Sequence, residues 1–261
     1  MPYKVNEPVE PQQRAVIDDD QLKRMMADSQ PSFFERNRYR LVTLIAINVA
    51  VFALEAVLSG MRIDISTRTL VDMGAMYAPL VQSPADLYRF VTPMFLHMDL
   101  MHLGFNMVAL YSVGEVLERT LGKGSYLALY FIAGITGNAV SYAADVLLGG
   151  GSAVSAGAST SVFGLFVAVA LLAVLHKGNR SLFTQYSKGM LGVIAVNVAY
   201  TLLVPNISVS GHLGGALGGL VAMFMIPAAS LRVPNPVRVV VAVLWVAALV
   251  WLLVSQGVLG V

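Results

Sequence analysis

Three of the four histidines in this 261-residue chain, His97, His102 and His212, lie where long apolar runs begin; the fourth, His176, sits between two such runs. Histidine takes up and returns protons near neutral pH, so it serves as a general base or acid. A separate apolar run opens with Gly157-Ala158-Ser159-Thr160-Ser161-Val162-Phe163-Gly164, placing a hydroxyl among small residues. His102 and Asn106 are four residues apart, so on a helix both project from one face as a pair of hydrogen-bond donors. A serine, a histidine on another run and a donor pair fill the roles of acyl transfer: nucleophile, base and oxyanion donors. Neither the run of Ser159 nor that of His212 contains an acid, so a serine hydrolase built from them uses a Ser/His dyad rather than a triad.

The same residues also have plain structural readings. The small residues from Gly157 to Gly164 suit close helix packing, as do Gly215 and Gly219, which repeat at small-xxx-small spacing after His212. His97 lies five before His102, off its face and nearer the water, where a buttressing or interfacial role is the simplest. His97, His102 and His212 with Asp99 suggest a metal site. However, no i, i+3 or i, i+4 pair of metalloprotease type occurs, so no metal is expected. Asn48, Asn138 and Asn197 are expected to bond across helices, and Glu115 and Glu118 to reach Arg119 or Lys123. Asp145 falls near a span's outer end, in contact with water.

The elements that must carry these groups follow from composition. The chain is 57% hydrophobic and 12% charged, about half the charge of a soluble globule. The first 40 residues hold seven Lys/Arg and seven Asp/Glu, 14 of the 32 charges, leaving the body apolar enough for a multi-span membrane protein. A net charge of +2, scattered along the chain, gives no reason to expect nucleic acid. With no cysteine there is no disulfide, thiolate metal site or Cys nucleophile.

Seven stretches are long enough to span a bilayer: residues 41–58, 100–117, 126–148, 158–175, 190–204, 211–225 and 237–254. Distributed over the intervening loops, 14 of the 17 Lys/Arg fall on one side and three, Arg62, Arg68 and Arg89, on the other. By the positive-inside rule the N-terminal segment is cytoplasmic, and the C-terminus and the Ser159, His102 and His212 level are on the outer side. The first apolar run starts near Leu41 after a polar stretch, so no cleaved signal peptide is expected. Residues 18–27 are expected to form a short helix, residues 149–152 a flexible loop, and the long loop 59–95 an interfacial segment.

At these residues the sequence resembles the rhomboid family of intramembrane serine proteases. The matching positions are Gly157, Ser159, Phe163 and Gly164; His212, Gly215 and Gly219; His97, His102 and Asn106; Tyr88-Arg89; and Glu118 with Gly122. Three motifs in order make the resemblance specific, and it covers about residues 41–225. It implies Ser159 as nucleophile, His212 as base and acid, and an oxyanion held by His102, Asn106 and the Ser159 N–H. Phe163 would pack on the His212 ring. Thr160 departs from the glycine common after the nucleophile, and Thr120 from an arginine near the span-two glutamate.

The expected fold is all-α, a polytopic membrane helix bundle with a six-helix rhomboid core and one more C-terminal transmembrane helix. The expected domains are a cytosolic segment (1–37), the catalytic core (38–229) and the additional helix (230–261). The expected activity is endopeptidase cleavage of single-span membrane proteins within or beside their transmembrane segment, with no cofactor and no metal. The lipid bilayer is its setting, and a bacterial plasma membrane its expected home. Two rivals are an inactive rhomboid-like factor that binds membrane segments and a transporter using His97, His102 and Asp99. The first lacks support because Ser159 and His212 are both present; the second, because residues 190–254 offer almost no ionisable groups to extend a polar path.

Overall fold

The computed structural model describes residues 39–149, 153–178, 180–203 and 207–260. The chain divides into two units at Asn37 and Arg38; the first, with the short helix expected at 18–27, lies outside the described residues, as do positions 150–152 of the expected 149–152 loop. The described part is helical, with isolated bridges and no named strand. Its helices are α1 (Tyr39–Leu58), α2 (Thr67–Asp72), α3 (Leu100–Leu121), α4 (Lys123–Leu148), α5 (Ser159–Leu175), α6 (Arg180–Gly189), α7 (Leu191–Leu203), α8 (Val209–Met225) and α9 (Asn235–Ser255). The described residues of the seven apolar stretches fall on these helices, with Ala158 and Met190 just before theirs.

By length and composition α1, α3, α4 and α9 are long and apolar enough to cross a membrane. A fifth crossing is available if α6 and α7, bent by 43° at their junction, count as one span. The helices α5 and α8 have 17 residues each, a rise of about 25 Å against a bilayer core of about 30 Å. They are the most enclosed of the set, and α8 packs chiefly on α4 and α5.

Glycines make that packing possible, because without side chains the helix axes approach until backbones touch. A Cβ added to Gly215 or Gly219 would run into the backbone of Thr160 or Gly164 on α5. Gly214 and Gly218 form a second face: their Cβ atoms would meet Val140, Gly137, Thr136 and Ala133 of α4. Thus α8 is wedged between two helices by two glycine rows. The core beneath is filled by Leu110, Val113 and Leu117 of α3, Tyr126 and Tyr130 of α4, and Leu165 and Leu172 of α5. By contrast α9 exposes most of its apolar side chains and buries only Leu252. It is tied to α4 by the Trp245 indole N–H donating to Thr136 Oγ1 at 2.9 Å.

The loop between α1 and α3 packs as a brace. Ile65, Leu70, Met76, Phe90 and Met94 are all buried. Arg89 is buried too, donating from one guanidinium nitrogen to the carbonyls of Val71 (3.0 Å) and Ala75 (2.9 Å). The loop reaches the bundle through Asn138, whose amide donates to the Phe90 carbonyl at 2.9 Å, and through the Phe90–Tyr142 ring contact. Met76 pairs with Ser155, and the Gly157 N–H donates to the Pro93 carbonyl at 2.8 Å. The segment entering α5 is therefore fastened to this loop at two points.

Other polar groups settle only in part as expected. Asn48 and Asn197 each donate to the carbonyl four residues back, at 2.8 Å, and Asn48 also bonds across to the Tyr130 side chain of α4, as expected. Glu115 pairs with Arg119 at 2.9 Å, but Glu118 instead accepts the backbone N–H groups of Arg40 and Leu41, each at 3.1 Å. It thereby caps the start of α1, where helix N–H groups lack intrahelical partners. Gly122, at φ 85°, turns the chain from α3 into α4.

Candidate active site

Ser159 is the first residue of α5. Gly157, two residues earlier, has φ +139°, a conformation that L side chains rarely adopt. The chain thus reaches α5 through a tight turn that places the Ser159 side chain at a helix N-terminus, where unpaired N–H groups and the helix dipole favour negative charge.

His212 lies one turn into α8, whose start is capped by Ser208 accepting the Gly211 N–H at 3.0 Å. The glycine rows of α8 bring this turn against α5, and His212 Nε2 lies 2.6 Å from Ser159 Oγ. The two residues are 53 apart in sequence and both are buried. Among the described residues His212 Nδ1 is buried without a hydrogen-bond partner. An aromatic face meets the ring: Phe163 stacks on His212 with centroids 4.4 Å apart and planes within 18°.

His102 approaches from α3. A Cβ on Gly157 would lie 2.9 Å from His102 Nε2 and 3.1 Å from Ser159 Oγ, so the His102 ring edge and the serine hydroxyl flank the same glycine. Asn106, one turn further along α3, donates from Nδ2 to the His102 carbonyl at 2.8 Å. This leaves one of its two N–H hydrogens uncommitted. Asp99 caps α3 by accepting the His102 N–H at 2.7 Å. Gly215 faces Thr160, and the Thr160 side chain lies against Gly137 and Gly211 of the neighbouring helices.

His97 differs from expectation: it is fully buried, not nearer the water. Its ring stands edge-on to His102 with centroids 5.2 Å apart, a buttress inside the protein. Sequence reasoning passed over two further residues. Tyr200 of α7 stacks on the other part of this cluster, 6.1 Å from His102 and 5.1 Å from Phe105. Glu55 of α1 accepts the His97 backbone N–H. An acid inside an otherwise apolar run was the readable signal for Glu55; nothing in the sequence singled out Tyr200.

Residues 84–229, more than half of the chain, match the Rhomboid domain. The chain is 35% identical over 192 residues to the rhomboid protease GluP of Bacillus subtilis, covering 73% of this chain and 34% of that one. It is 32% identical over 182 residues to rhomboid-like protease 3 of Toxoplasma gondii, covering 69% of this chain and 66% of that one. The chain therefore spans less than two thirds of the length of these relatives. The matched region runs from the loop before α3 to the end of α8 and contains Ser159, His212, His102 and Asn106, so the chain belongs to the rhomboid family.

Proposed function

We propose that this protein is an intramembrane serine endopeptidase that cleaves single-span membrane proteins within or next to their transmembrane segment. The observation that carries this reading is the 2.6 Å contact between Ser159 Oγ and His212 Nε2, in a rhomboid-family chain whose most enclosed helices supply both groups. Relatives named as proteases support it further.

In this reading His212 Nε2 accepts the Ser159 proton as Oγ attacks the scissile carbonyl, and later returns a proton to the leaving amine. The oxyanion forms at the N-terminus of α5, where the Ser159 N–H, the His102 edge and the remaining Asn106 N–H are its donors. Gly157 leaves open the space beside both His102 and Ser159 that a side chain would fill. The dyad works without an acid because Phe163 holds the imidazole plane, and water then hydrolyses the acyl-enzyme. A substrate helix has to expose its scissile bond, so spans with Gly or Pro near the outer end are the favoured substrates.

Charge placement supports an orientation. Arg119, Lys123, Lys177, Arg232 and Arg238 fall at or beyond the helix ends away from the site. The site accordingly opens outward in a bacterial plasma membrane, with residues 1–37 cytosolic, residues 38–229 the six-helix core and residues 230–261 an added crossing. A reporter fused after Val261 should read as external; a cytoplasmic signal would overturn the seven-span arrangement. Labelling by a serine-directed fluorophosphonate, lost in Ser159→Ala and in His212→Ala, tests the dyad. Full labelling of His212→Ala would contradict it.

A further inference from the structure

Glu55 is the one acidic residue of α1, and it is wholly buried. Burying a carboxyl group is costly unless its oxygens find donors. Here both oxygens converge on a single backbone N–H, that of His97, at 3.1 and 3.3 Å. The two residues are 42 apart in sequence, and the contact fixes the chain just where the loop turns into α3.

What lies beyond that N–H gives the contact its meaning. Among the described residues the His97 ring finds only the backbone of Phe95, two residues away in the chain, so no hydrogen bond on the ring ties it to another helix. Its backbone does: the His97 N–H is held by Glu55, the Met98 carbonyl accepts the Ile65 N–H at 2.8 Å, and Asp99 caps His102. Held this way, the His97 ring supports the face of His102, whose opposite edge meets Gly157 beside Ser159. Asp99 and Ile65 secure the backbone after His97, and Glu55 is the contact from α1 that secures His97 itself.

We propose that Glu55 is a positioning residue for the oxyanion side of the site, acting through His97 on His102; this rests on the endopeptidase reading above. Small displacements of a group that must meet the transition state lower turnover strongly without weakening substrate binding.

The test uses the full chain in liposomes with a single-span substrate, measuring kcat and KM for wild type, Glu55→Met, Glu55→Gln, His102→Ala and the His102→Ala/Glu55→Met double variant. Met fills the same space without an acceptor, and Gln keeps one oxygen for the His97 N–H. Glu55→Met should lower kcat roughly ten- to a hundredfold with KM within about twofold of wild type. Glu55→Gln should recover most of the loss, and Glu55→Met should cost nothing further once His102 is gone. An equal loss in both backgrounds, or wild-type kcat in Glu55→Met, would overturn the proposal. Should Glu55→Met not fold, His97→Ala, which breaks the same relay one residue further on, is measured in both backgrounds: a kcat loss that disappears once His102 is gone is expected, and wild-type kcat or an equal loss in both would overturn the proposal. Ser159→Ala, assayed alongside, separates the two levels: if it cleaves like wild type the endopeptidase reading fails, whatever Glu55 does.

Discussion

The ring of Phe163 lies flat on the ring of His212, 4.4 Å between centroids, while the far nitrogen of that imidazole, Nδ1, has no hydrogen-bond partner among the described residues. In a triad an acid fixes the imidazole; in the proposed dyad the stacking contact takes that part. Such aromatic contacts contribute about 0.5–1.5 kcal/mol, and a barrier change of 1.36 kcal/mol is tenfold in rate. Phe163→Ala should therefore lower kcat up to about tenfold, with Phe163→Tyr near wild type, in steady-state cleavage assays. Equal rates for Phe163→Ala and wild type would assign the orientation of His212 to something else.

Gly157→Ala should be far more damaging than its one added methyl suggests. The Cβ would fall 2.8 Å from His102 Cε1, and the φ of +139° is strained for alanine. Fluorophosphonate labelling of Ser159 should drop at least tenfold, by the strain and the clash together.

Two glycine substitutions in different helices separate packing from general helix effects. Gly215→Val drives a side chain into the Thr160 backbone, so α5 and α8 must part and the Ser159–His212 contact is lost. Thermal unfolding should come earlier and cleavage should vanish. Gly192→Ala on α7 meets nothing within 4 Å, and should leave activity intact while stabilising its helix by up to about 1 kcal/mol.

Glu118→Ala removes the cap of α1 without touching the site. A lost cap costs about 1 kcal/mol, so the melting temperature should fall while kcat and KM stay at wild-type values. A kinetic change of the size seen for Phe163→Ala would place Glu118 in a wider network.

The parts of this arrangement legible in the sequence were those set by local period. The i, i+4 spacing of His102 and Asn106 placed both on one face of α3, and Gly215 and Gly219 marked the face of α8 that meets α5. The second row, Gly214 and Gly218, escaped notice because the sequence does not say that two helices flank α8. His97 looked watery by its place before α3 and is buried against Glu55 of α1 and the His102 ring, while residues 59–95, rich in 3-10 turns, show no readable period. Glu118 pairs with backbone at Arg40 and Leu41 rather than with nearby Arg119, since a tertiary neighbour offered two N–H donors. Glu55 and His97 meet across 42 residues, a separation that no local spacing reports.

Asn106→Ala measures how the oxyanion is shared. Removing one such donor in a soluble protease costs roughly 2.7 to 4 kcal/mol. With one Asn106 N–H already given to the His102 carbonyl, the loss should lie at or below the lower end, and well short of the loss in Ser159→Ala. Cleavage by Asn106→Ala as weak as by Ser159→Ala would make Asn106 indispensable rather than one donor among three.

The central claim is that Ser159 performs the chemistry. Its most direct measurement is cleavage of a panel of single-span proteins in liposomes by wild type and Ser159→Ala, with the cut sites mapped. Wild type should cut near the outer end of the spans and Ser159→Ala should cut none; cleavage by Ser159→Ala at the wild-type rate would contradict it.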